Sequence, residues 1–374
     1  MALLPLEGYT IGVTADRRAE EQCEMLRRRG ATIVHGPAIR TVPLAADARI
    51  RAATEALIAS PPDVLIANTG IGIRGWFAAA ESWGLGDELG AALTGARILA
   101  RGPKAAGAIL TAGLSVAWRA PTEALREAVD ETLAASRPAA SVAVQLDGNV
   151  EQREVERLRA AGYRVTDVRV YEWHAPADAT PVARLVDAAC QQQVDAVTFT
   201  SAAALRSFVD VAETRDQSAQ LRAAFDGSVI AMCVGPMCAA VAHHLGVRGL
   251  HPDRPRLGAM VHRLAAELSD RQVQLRLAGA DVVQQGATVV IDDAVVTLTD
   301  QERAIFDVLV SKRGAVVGRR ELSRRLRGQV GDERGVEVAV GRLRRKLGPA
   351  GLGILTVVRR GYRLEIDAVS HPAP

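Results

Sequence analysis

Five short turns in the sequence carry residue types that can hold a small ligand. They lie at residues 14–17, 68–72, 101–104, 200–202 and 234–236, and they are rich in threonine, serine and glycine. In parallel sheets, ligands bind beyond the carboxyl ends of the strands, where such turns present backbone N–H groups. The candidate ligand-binding residues in these turns are Thr14, Thr69, Gly70, Thr200, Ser201 and Gly235.

Four basic residues lie in or beside the same turns: Arg17, Arg74, Arg101 and Lys104. Together they could select an anionic small molecule at the mouth of a cleft. Taken singly, each is better explained as a surface charge.

A second group of basic residues is concentrated near the C-terminus. Between Arg334 and Arg363 the sequence has eight basic residues and one acidic residue, Glu337. Such a density of positive charge is typical of a surface that binds the phosphates of nucleic acid. A basic run on its own can also be the solvated face of a helix. The pattern of the surrounding residues is what distinguishes that interpretation from a nucleic-acid-binding surface.

The composition bounds the function classes. The chain has 374 residues, and 48% apolar with 24% charged residues is ordinary for globular domains, so a disordered or fibrous chain is excluded. No apolar run has the length of a membrane helix and no signal-peptide pattern opens the sequence, so we expect a cytoplasmic protein. The spacing of Cys233 and Cys238 and the adjacent His243 and His244 do not suit a metal site, and none is predicted.

An internal repeat organises the region before residue 250. Each copy alternates short apolar runs with helical patterns, which indicates duplicated α/β units with doubly wound parallel sheets. Three pairs of similar segments recur at an offset of 132 or 133 residues: those beginning at Gly30 and Gly162, at Asp63 and Asp195, and at Gly102 and Gly235.

The last ninety or so residues follow a different pattern. Two strand-like runs, 287–291 and 294–298, precede Thr299 and Glu302, whose spacing predicts a capping box at a helix start. Further helices are predicted over about 319–327 and 335–347, and a hairpin over 355–364. Val336, Val340, Leu343 and Leu347 form an apolar stripe on the last helix, with the arginines largely off it.

Four segments of the first region resemble uroporphyrinogen-III synthase: DAVTFTS (195–201), VGPMCAA (234–240), RGPKAAG (101–107) and VRVYEW (168–173). The resemblance implies a region 1–270 with two lobes and a tetrapyrrole-binding cleft between them. Lobe one would comprise about 7–37 and 171–268, and lobe two about 38–170.

The family closes hydroxymethylbilane to a macrocycle without a metal or an organic cofactor. By resemblance Thr200, Ser201, Gly235 and Tyr171 fall at cleft positions, and Tyr171 would assist departure of the hydroxyl group; the alternative for Tyr171 is a half-buried linker residue. Cys238 and Ala105 stand where the family often has threonine, which favours a protein without the synthase activity.

The C-terminal region resembles the winged-helix effector domain of OmpR/PhoB-type response regulators. The segments that carry this resemblance are LTDQERAIFDVLV (298–310), GVEVAVGRLRRKLG (335–348) and TVVRRGYRL (356–364). The predicted organisation is a linker at 271–285, a winged-helix DNA-binding domain at 286–367 and a tail at 368–374.

That resemblance implies that the third helix enters the major groove of double-stranded DNA. Arg342 would contact a base; Gly335, Glu337 and Val338 would face the groove; and Arg334 would stand at the helix start. The phosphate contacts would come from Arg344, Arg345, Thr356, Arg359 and Arg360. Ala339 and Gly341 occupy positions that are often basic or histidine in the family.

Taken together, these features predict a transcription regulator with a synthase-like sensor or interaction domain that acts as a homodimer on DNA. The architecture resembles actinobacterial nitrate and nitrite assimilation regulators, which makes nitrogen-assimilation genes the expected target. One alternative is an active uroporphyrinogen-III synthase fused to a DNA-binding domain. Another is a scaffold that binds a second transcription regulator through its α/β region.

Overall fold

Short apolar runs form the central strands of two parallel sheets. The computed structural model describes residues 3–44, 47–135, 137, 139–148, 153–326 and 333–367. It divides into a first unit, Met1–Ala38 with Ala177–Pro374, and a second unit, Ile39–Pro176.

The described part of the chain up to residue 269 has twelve strands and twelve helices. The strands are β1 (Thr10–Val13), β2 (Thr32–His35), β3 (Arg40–Pro43), β4 (Val64–Ala67), β5 (Arg97–Ala100), β6 (Trp118–Arg119), β7 (Ser141–Leu146), β8 (Arg164–Arg169), β9 (Tyr171–His174), β10 (Ala196–Phe199), β11 (Ile230–Cys233) and β12 (Gly249–Leu250). The helices are α1 (Ala19–Arg27), α2 (Ala48–Ala59), α3 (Gly70–Ser82), α4 (Gly86–Thr94), α5 (Pro103–Thr111), α6 (Leu125–Ala135), α7 (Arg153–Ala160), α8 (Thr180–Cys190), α9 (Ala202–Thr214), α10 (Ser218–Asp226), α11 (Pro236–His244) and α12 (Leu257–Ser269).

The two sheets have the same topology. In the first unit the parallel order is β12-β11-β10-β1-β2, and in the second unit it is β6-β5-β4-β7-β8. Equivalent strands therefore include β10 and β4 at the centre, which begin at Ala196 and Val64, the offset of 132 found in the sequence. The four residues of β4 and of β10 are all buried, as expected for central strands covered on both faces. The α/β fold with parallel sheets is thus confirmed.

Two further strands pair with each other in the second unit. β3 and β9 are antiparallel, with Arg40 opposite His174 and Pro43 opposite Tyr171. The family resemblance assigned Tyr171 to the first lobe, whereas this ladder groups β9 with the second unit.

The described residues between 273 and 364 fold around a core of their own, and we call this part the C-terminal domain. Its strands are β13 (Val273–Leu277), β14 (Ala280–Gln285), β15 (Thr288–Ile291), β16 (Ala294–Thr297), β17 (Ile354–Val357) and β18 (Gly361–Leu364). Its helices are α13 (Asp300–Ser311), α14 (Arg319–Ser323) and α15 (Glu333–Lys346), followed by a 3-10 turn over Gly348–Gly353.

The segment 271–285, expected to be a linker, forms the first two strands of this domain. β13 to β16 make an antiparallel sheet in chain order, and the β13–β14 connection is only Ala278 and Gly279, both with positive φ (49° and 83°). Two residues of positive φ suit a tight hairpin turn. Leu277 and Val282 are buried in the same core as Phe306 and Leu343, so these strands belong to the domain.

The start of the first helix of the C-terminal domain was predicted correctly, because the signal for it spans only a few residues. Thr299 and Glu302 form the capping box at the start of α13. The second helix is shorter than the predicted 319–327: α14 ends at Ser323, and residue 327 lies outside the described residues, as does the predicted tail 368–374.

Candidate functional site

The turn after β4 brings several candidate ligand-binding residues of the second unit together. Thr69 caps α3: its Oγ1 accepts a hydrogen bond from the Gly72 N–H at 3.0 Å. The Tyr171 hydroxyl donates to the same Oγ1 at 3.4 Å, although the Tyr171 ring is buried. Tyr171 and the Thr69 turn are therefore in contact within this unit, a contact that was not expected from the sequence.

Two glycines let α3 begin in a crowded place. A Cβ atom on Gly70 would lie 2.2 Å from the Lys104 carbonyl oxygen, at the start of α5. A Cβ atom on Gly72 would lie 1.9 Å from the side-chain nitrogen of Gln145. The Gln145 Oε1 in turn accepts from the Thr69 N–H at 2.8 Å. The turn is therefore held on two sides, which presents the N-terminus of α3 in one fixed position.

The basic candidates of the second unit differ in what they do. Arg74 and Lys104 have exposed side chains beside this turn. Arg101 is half-buried and is used inside the unit: its Nη1 donates to Asn68 Oδ1 at 2.9 Å and its Nε donates to the Glu123 carbonyl at 2.8 Å. Arg101 thus braces two turns, while Arg74 and Lys104 are the residues that can meet an anion.

In the first unit the candidates flank the carboxyl ends of β1 and β10. Thr14 is fully buried and its hydroxyl donates to the Thr198 carbonyl at 2.7 Å, so it ties the two strands together. Ser201 caps α9 by accepting from the Ala204 N–H at 3.1 Å. Thr200 is half-buried next to this cap, and Arg17 is exposed at the turn after β1.

Gly235 occupies the N-cap position of α11. A Cβ atom there would lie 2.6 Å from the Cβ of Pro255, so only glycine lets the two turns approach so closely. Behind this turn the thiols of Cys233 and Cys238 are buried, and their mutual hydrogen bond together with burial raises the pKa of Cys233. Cys233 is thus a neutral core residue and not a nucleophile.

Two buried glutamines were not foreseen from the sequence. Gln145 supports the Thr69 turn, as described above. Gln22 is fully buried and its Nε2 donates to the Thr198 Oγ1 at 2.7 Å, while its Oε1 has no partner among the described residues. A signal for Gln22 was available, because it shares the buried face of α1 with Cys23 and Leu26.

The C-terminal domain presents a separate candidate surface along α15. Val336, Ala339, Val340, Leu343 and Leu347 are buried in the domain core at helical spacing. The opposite face carries the charged candidates with exposed side chains: Arg334, Glu337, Arg342 and Arg345, together with the exposed apolar Val338. Gly335 is half-buried. The apolar stripe therefore fixes which arginines point to solvent.

Arg344 connects α15 with the hairpin β17–β18. Its Nε donates to the Ile354 carbonyl at 2.9 Å and its Nη2 donates to the Thr356 Oγ1 at 2.9 Å. Its guanidinium carbon also lies 5.8 Å from the centre of the Tyr362 ring. Arg344 and Thr356, predicted as separate phosphate contacts, thus form one bonded pair that orients helix and hairpin.

The hairpin tip and the helix start complete this surface. Arg359, with a φ of 60°, and Arg360 are exposed at the tip. Glu337 forms an ion pair with Arg319 of α14 at 3.0 Å, which offsets part of the local positive charge. A surface of exposed arginines on one helix and one hairpin can bind a polyanion such as a DNA backbone.

Neither a metal site nor a membrane-spanning helix is found in the described part of the chain. No group of three or more histidine, cysteine, aspartate or glutamate side chains is placed to hold a metal ion there. None of the helices that the structure describes is long and apolar enough to cross a membrane.

Comparison with known proteins gives two family matches. Residues 20–262 match the family described as uroporphyrinogen-III synthase HemD, and residues 293–364 match the family described as transcriptional regulatory protein, C terminal. The uncharacterised protein YjjA of Bacillus subtilis (strain 168) is 28% identical over 268 residues, which cover 71% of this chain and 98% of that protein.

Solved structures match the two regions separately. A mutant uroporphyrinogen III synthase from the extremely thermophilic bacterium Thermus thermophilus is 27% identical with a TM-score of 0.56, over 69% of this chain and 99% of that one. The DNA binding domain of the response regulator AdeR, solved in complex with an intercistronic region, is 30% identical with a TM-score of 0.20, over 21% of this chain and 85% of that one.

Proposed function

Because the chain belongs to the uroporphyrinogen-III synthase family and ends in a transcriptional regulatory domain of the OmpR/PhoB type, we propose that it is a DNA-binding transcription regulator with a synthase-like sensor region. These matches confirm the resemblance of the first region to uroporphyrinogen-III synthase and that of the C-terminal region to the OmpR/PhoB-type effector domain. The observation that supports the proposal most directly is the exposed face of α15, where Arg342 and Arg345 extend into solvent while the apolar stripe is buried.

The exposed residues are proposed to make two kinds of contact with DNA, to base edges and to phosphates. Arg342, in the middle of the exposed face, is proposed to contact a base edge, and the exposed Val338 lies one turn before it on that face. Arg345, Arg359 and Arg360 are proposed to contact phosphates, and Arg344 with Thr356 to position the hairpin. Arg344→Ala should therefore weaken binding to all sequences alike.

The test is binding-site mapping across the genome followed by gel-shift assays on the mapped fragments. We expect recovery of a repeated sequence element, in paired half-sites if the protein binds as the proposed homodimer. Nitrogen-assimilation genes are the proposed targets, and this part rests on resemblance alone. Failure of the purified protein to bind any mapped fragment would contradict the regulator proposal. Fragments that map elsewhere would remove only the nitrogen assignment.

The sensor region is proposed to bind an anionic small molecule or a tetrapyrrole. In the second unit Arg74 and Lys104 are exposed beside the rigid N-terminus of α3, where backbone N–H groups favour negative charge. In the first unit Thr200 and Ser201 stand at the start of α9. Isothermal titration with uroporphyrinogen III should show binding that weakens in Arg74→Gln, with Arg126→Gln, an exposed arginine on another helix, as the matched control.

A second candidate function is the synthase reaction itself. The contact of the Tyr171 hydroxyl with Thr69 favours it, since the family places a tyrosine near the departing hydroxyl group. Purified protein incubated with hydroxymethylbilane would form the type III isomer if this activity is present. Tyr171→Phe should then lower the rate without unfolding the protein, because it keeps the buried ring and removes only the hydroxyl group.

A further inference from the structure

The C-terminal domain packs against the α/β part of its own unit through the segment before β1. The Gln285 Nε2 donates to the carbonyl oxygens of Leu4 (2.8 Å) and Glu7 (2.9 Å). The Ala287 N–H donates to the Gly8 carbonyl at 2.8 Å. Gln285 is buried, so these bonds lie in an interface and not on a loose tether.

Two glycines allow the approach of the chains at this interface. Gly8 has a φ of 79°, and a Cβ atom there would lie 2.3 Å from the Gln285 carbonyl. Gly286 has a φ of 59°, and a Cβ atom there would lie 2.4 Å from the Gly8 carbonyl. Both residues are in the left-handed region, where glycine is favoured. Both sides of the contact thus have a glycine where a larger side chain would clash with the backbone of the other side.

An ion pair between a buried carboxylate and a half-buried guanidinium forms the other half of the interface. Arg303 of α13 donates from its Nη1 to Asp195 Oδ2 at 3.2 Å, and its Nη2 donates to Asp195 Oδ1. Asp195 also accepts from the Thr10 N–H at 2.8 Å. Burial and the Asp195 charge together raise the pKa of the neighbouring Tyr9 to about 12, consistent with exclusion of water. One carboxylate therefore joins the starts of β1 and β10 to the C-terminal domain.

The same two strands lead directly to the candidate ligand-binding turns. Asp195 precedes β10, and Thr200 and Ser201 follow its four residues. Across the pair of strands the Thr198 Oγ1 donates to the Gly12 carbonyl at 2.8 Å and the Thr14 Oγ1 donates to the Thr198 carbonyl. Because these bonds tie the two strands together, we expect a displacement of Asp195 at one end to reach Thr200 and Ser201 at the other.

We propose that the Asp195–Arg303 pair couples the ligand-binding turn at Thr200 and Ser201 to the orientation of the C-terminal domain. This inference rests on the proposed regulator function and states how a bound ligand would control DNA binding. The two states are a docked one, with the pair formed, and an undocked one, with the pair broken. A ligand or a DNA duplex that prefers one state changes the affinity for the other partner by the same factor.

The test uses this reciprocity and needs no knowledge of the natural ligand. Amide hydrogen exchange is measured on the full chain with and without a random-sequence DNA duplex at low salt. We expect duplex binding to change exchange at residues 196–204 by about 5-fold or more, the usual lower range of such coupling. In Arg303→Gln this change should disappear. Arg263→Gln, which removes a charge from an exposed pair on α12, should retain it.

Asp195→Asn provides a second variant in case Arg303→Gln folds poorly. Its amide oxygen can still accept from the Thr10 N–H, so the strand start is preserved while the charge is lost. An unchanged exchange rate at 196–204 in the duplex-bound wild type would overturn the coupling and leave the regulator proposal intact. The same holds if both interface variants respond like the wild type. Absence of duplex binding by the wild type would overturn both.

Discussion

Replacing Glu302 should loosen the helix that is proposed to bind DNA. Its buried carboxylate accepts from the Thr299 N–H at the start of α13 (2.8 Å) and from the Lys346 Nζ at the end of α15 (2.7 Å). Lys346 also donates to the Thr297 carbonyl at 2.9 Å. Glu302 thus joins the first and last helices of the C-terminal domain.

The magnitude for Glu302→Ala follows from these two contacts. Loss of the hydrogen bond that Glu302 accepts from the Thr299 N–H costs about 1 kcal/mol, while Thr299 still caps the helix. Removing one partner of a fully buried ion pair costs about 3–5 kcal/mol. Lys346 keeps 31% of its side chain exposed, so that cost is reduced here. We expect the free energy of unfolding of the C-terminal domain to fall by about 2–4 kcal/mol in total.

Amide hydrogen exchange of α13 and α15 is the suitable assay. All four tryptophans, Trp76, Trp83, Trp118 and Trp173, lie in the second unit, so fluorescence reports on that unit instead. Glu365→Ala is the control, because Glu365 is 55% exposed and pairs with exposed Arg363, an arrangement worth less than about 1 kcal/mol. Equal exchange in the two variants would refute the role given to Glu302.

The same carboxylate predicts a dependence on pH. Burial alone would raise the pKa of Glu302, but hydrogen bonds from Lys346 and Thr299 lower it below its ordinary value of 4.5. Because the folded pKa is lowered, the stabilisation is present above about pH 4.5 and is lost as the pH falls through the folded pKa. As the pH is lowered, the amide protection of α15 should therefore fall less in Glu302→Ala than in the wild type, because the variant has already lost this stabilisation.

Two further predictions concern packing in each unit. Leu277→Ala should lower the free energy of unfolding of the C-terminal domain by about 2–5 kcal/mol, because Leu277 is fully buried. The control Leu352→Ala, at a side chain 73% exposed, should change it by less than about 0.5 kcal/mol. Hydrogen exchange of β14 measures both variants, and equal effects would contradict the assignment of residues 273–277 to the domain core. Gly72→Ala should destabilise the second unit by about 1–3 kcal/mol through overlap with Gln145, whereas Gly75→Ala on the same helix, whose added Cβ has its nearest neighbour 3.9 Å away, should stabilise it by about 0.5–1 kcal/mol. Tryptophan fluorescence during urea unfolding measures both glycine variants, and a neutral Gly72→Ala would contradict the steric account.

The parts of the fold that the sequence predicted depend on local or repeated patterns. The capping box of Thr299 and Glu302 is a spacing of three residues, and the equivalence of the two sheets follows from a constant offset. The strands β13 and β14 were missed because polar residues stand at buried as well as exposed positions. Gln274, Arg276 and Asp281 are exposed, whereas Gln284 and Gln285 are buried, so the segment has the composition of a polar linker. Only the two-residue turn at Ala278 and Gly279 shows that it is a hairpin.

The candidate sites show the same division. The exposed face of α15 could be predicted from the helical spacing of Val336, Val340 and Leu343. The support of Thr69 by Gln145 joins residues 76 positions apart, and the brace between Arg101 and Asn68 joins residues 33 positions apart. No local pattern indicates such contacts. The Asp195–Arg303 pair spans 108 residues and became visible only in the folded chain.

The most direct measurement is the affinity of the wild type and of Arg342→Ala for a mapped DNA site and for its single-base variants, by fluorescence anisotropy at one fixed salt concentration. We expect Arg342→Ala to lose about 1–3 kcal/mol of discrimination at one base pair and little elsewhere. Arg345→Ala, three residues along the same exposed face, should weaken all of these duplexes equally. Unchanged affinity and discrimination in both variants would contradict the claim that α15 binds DNA.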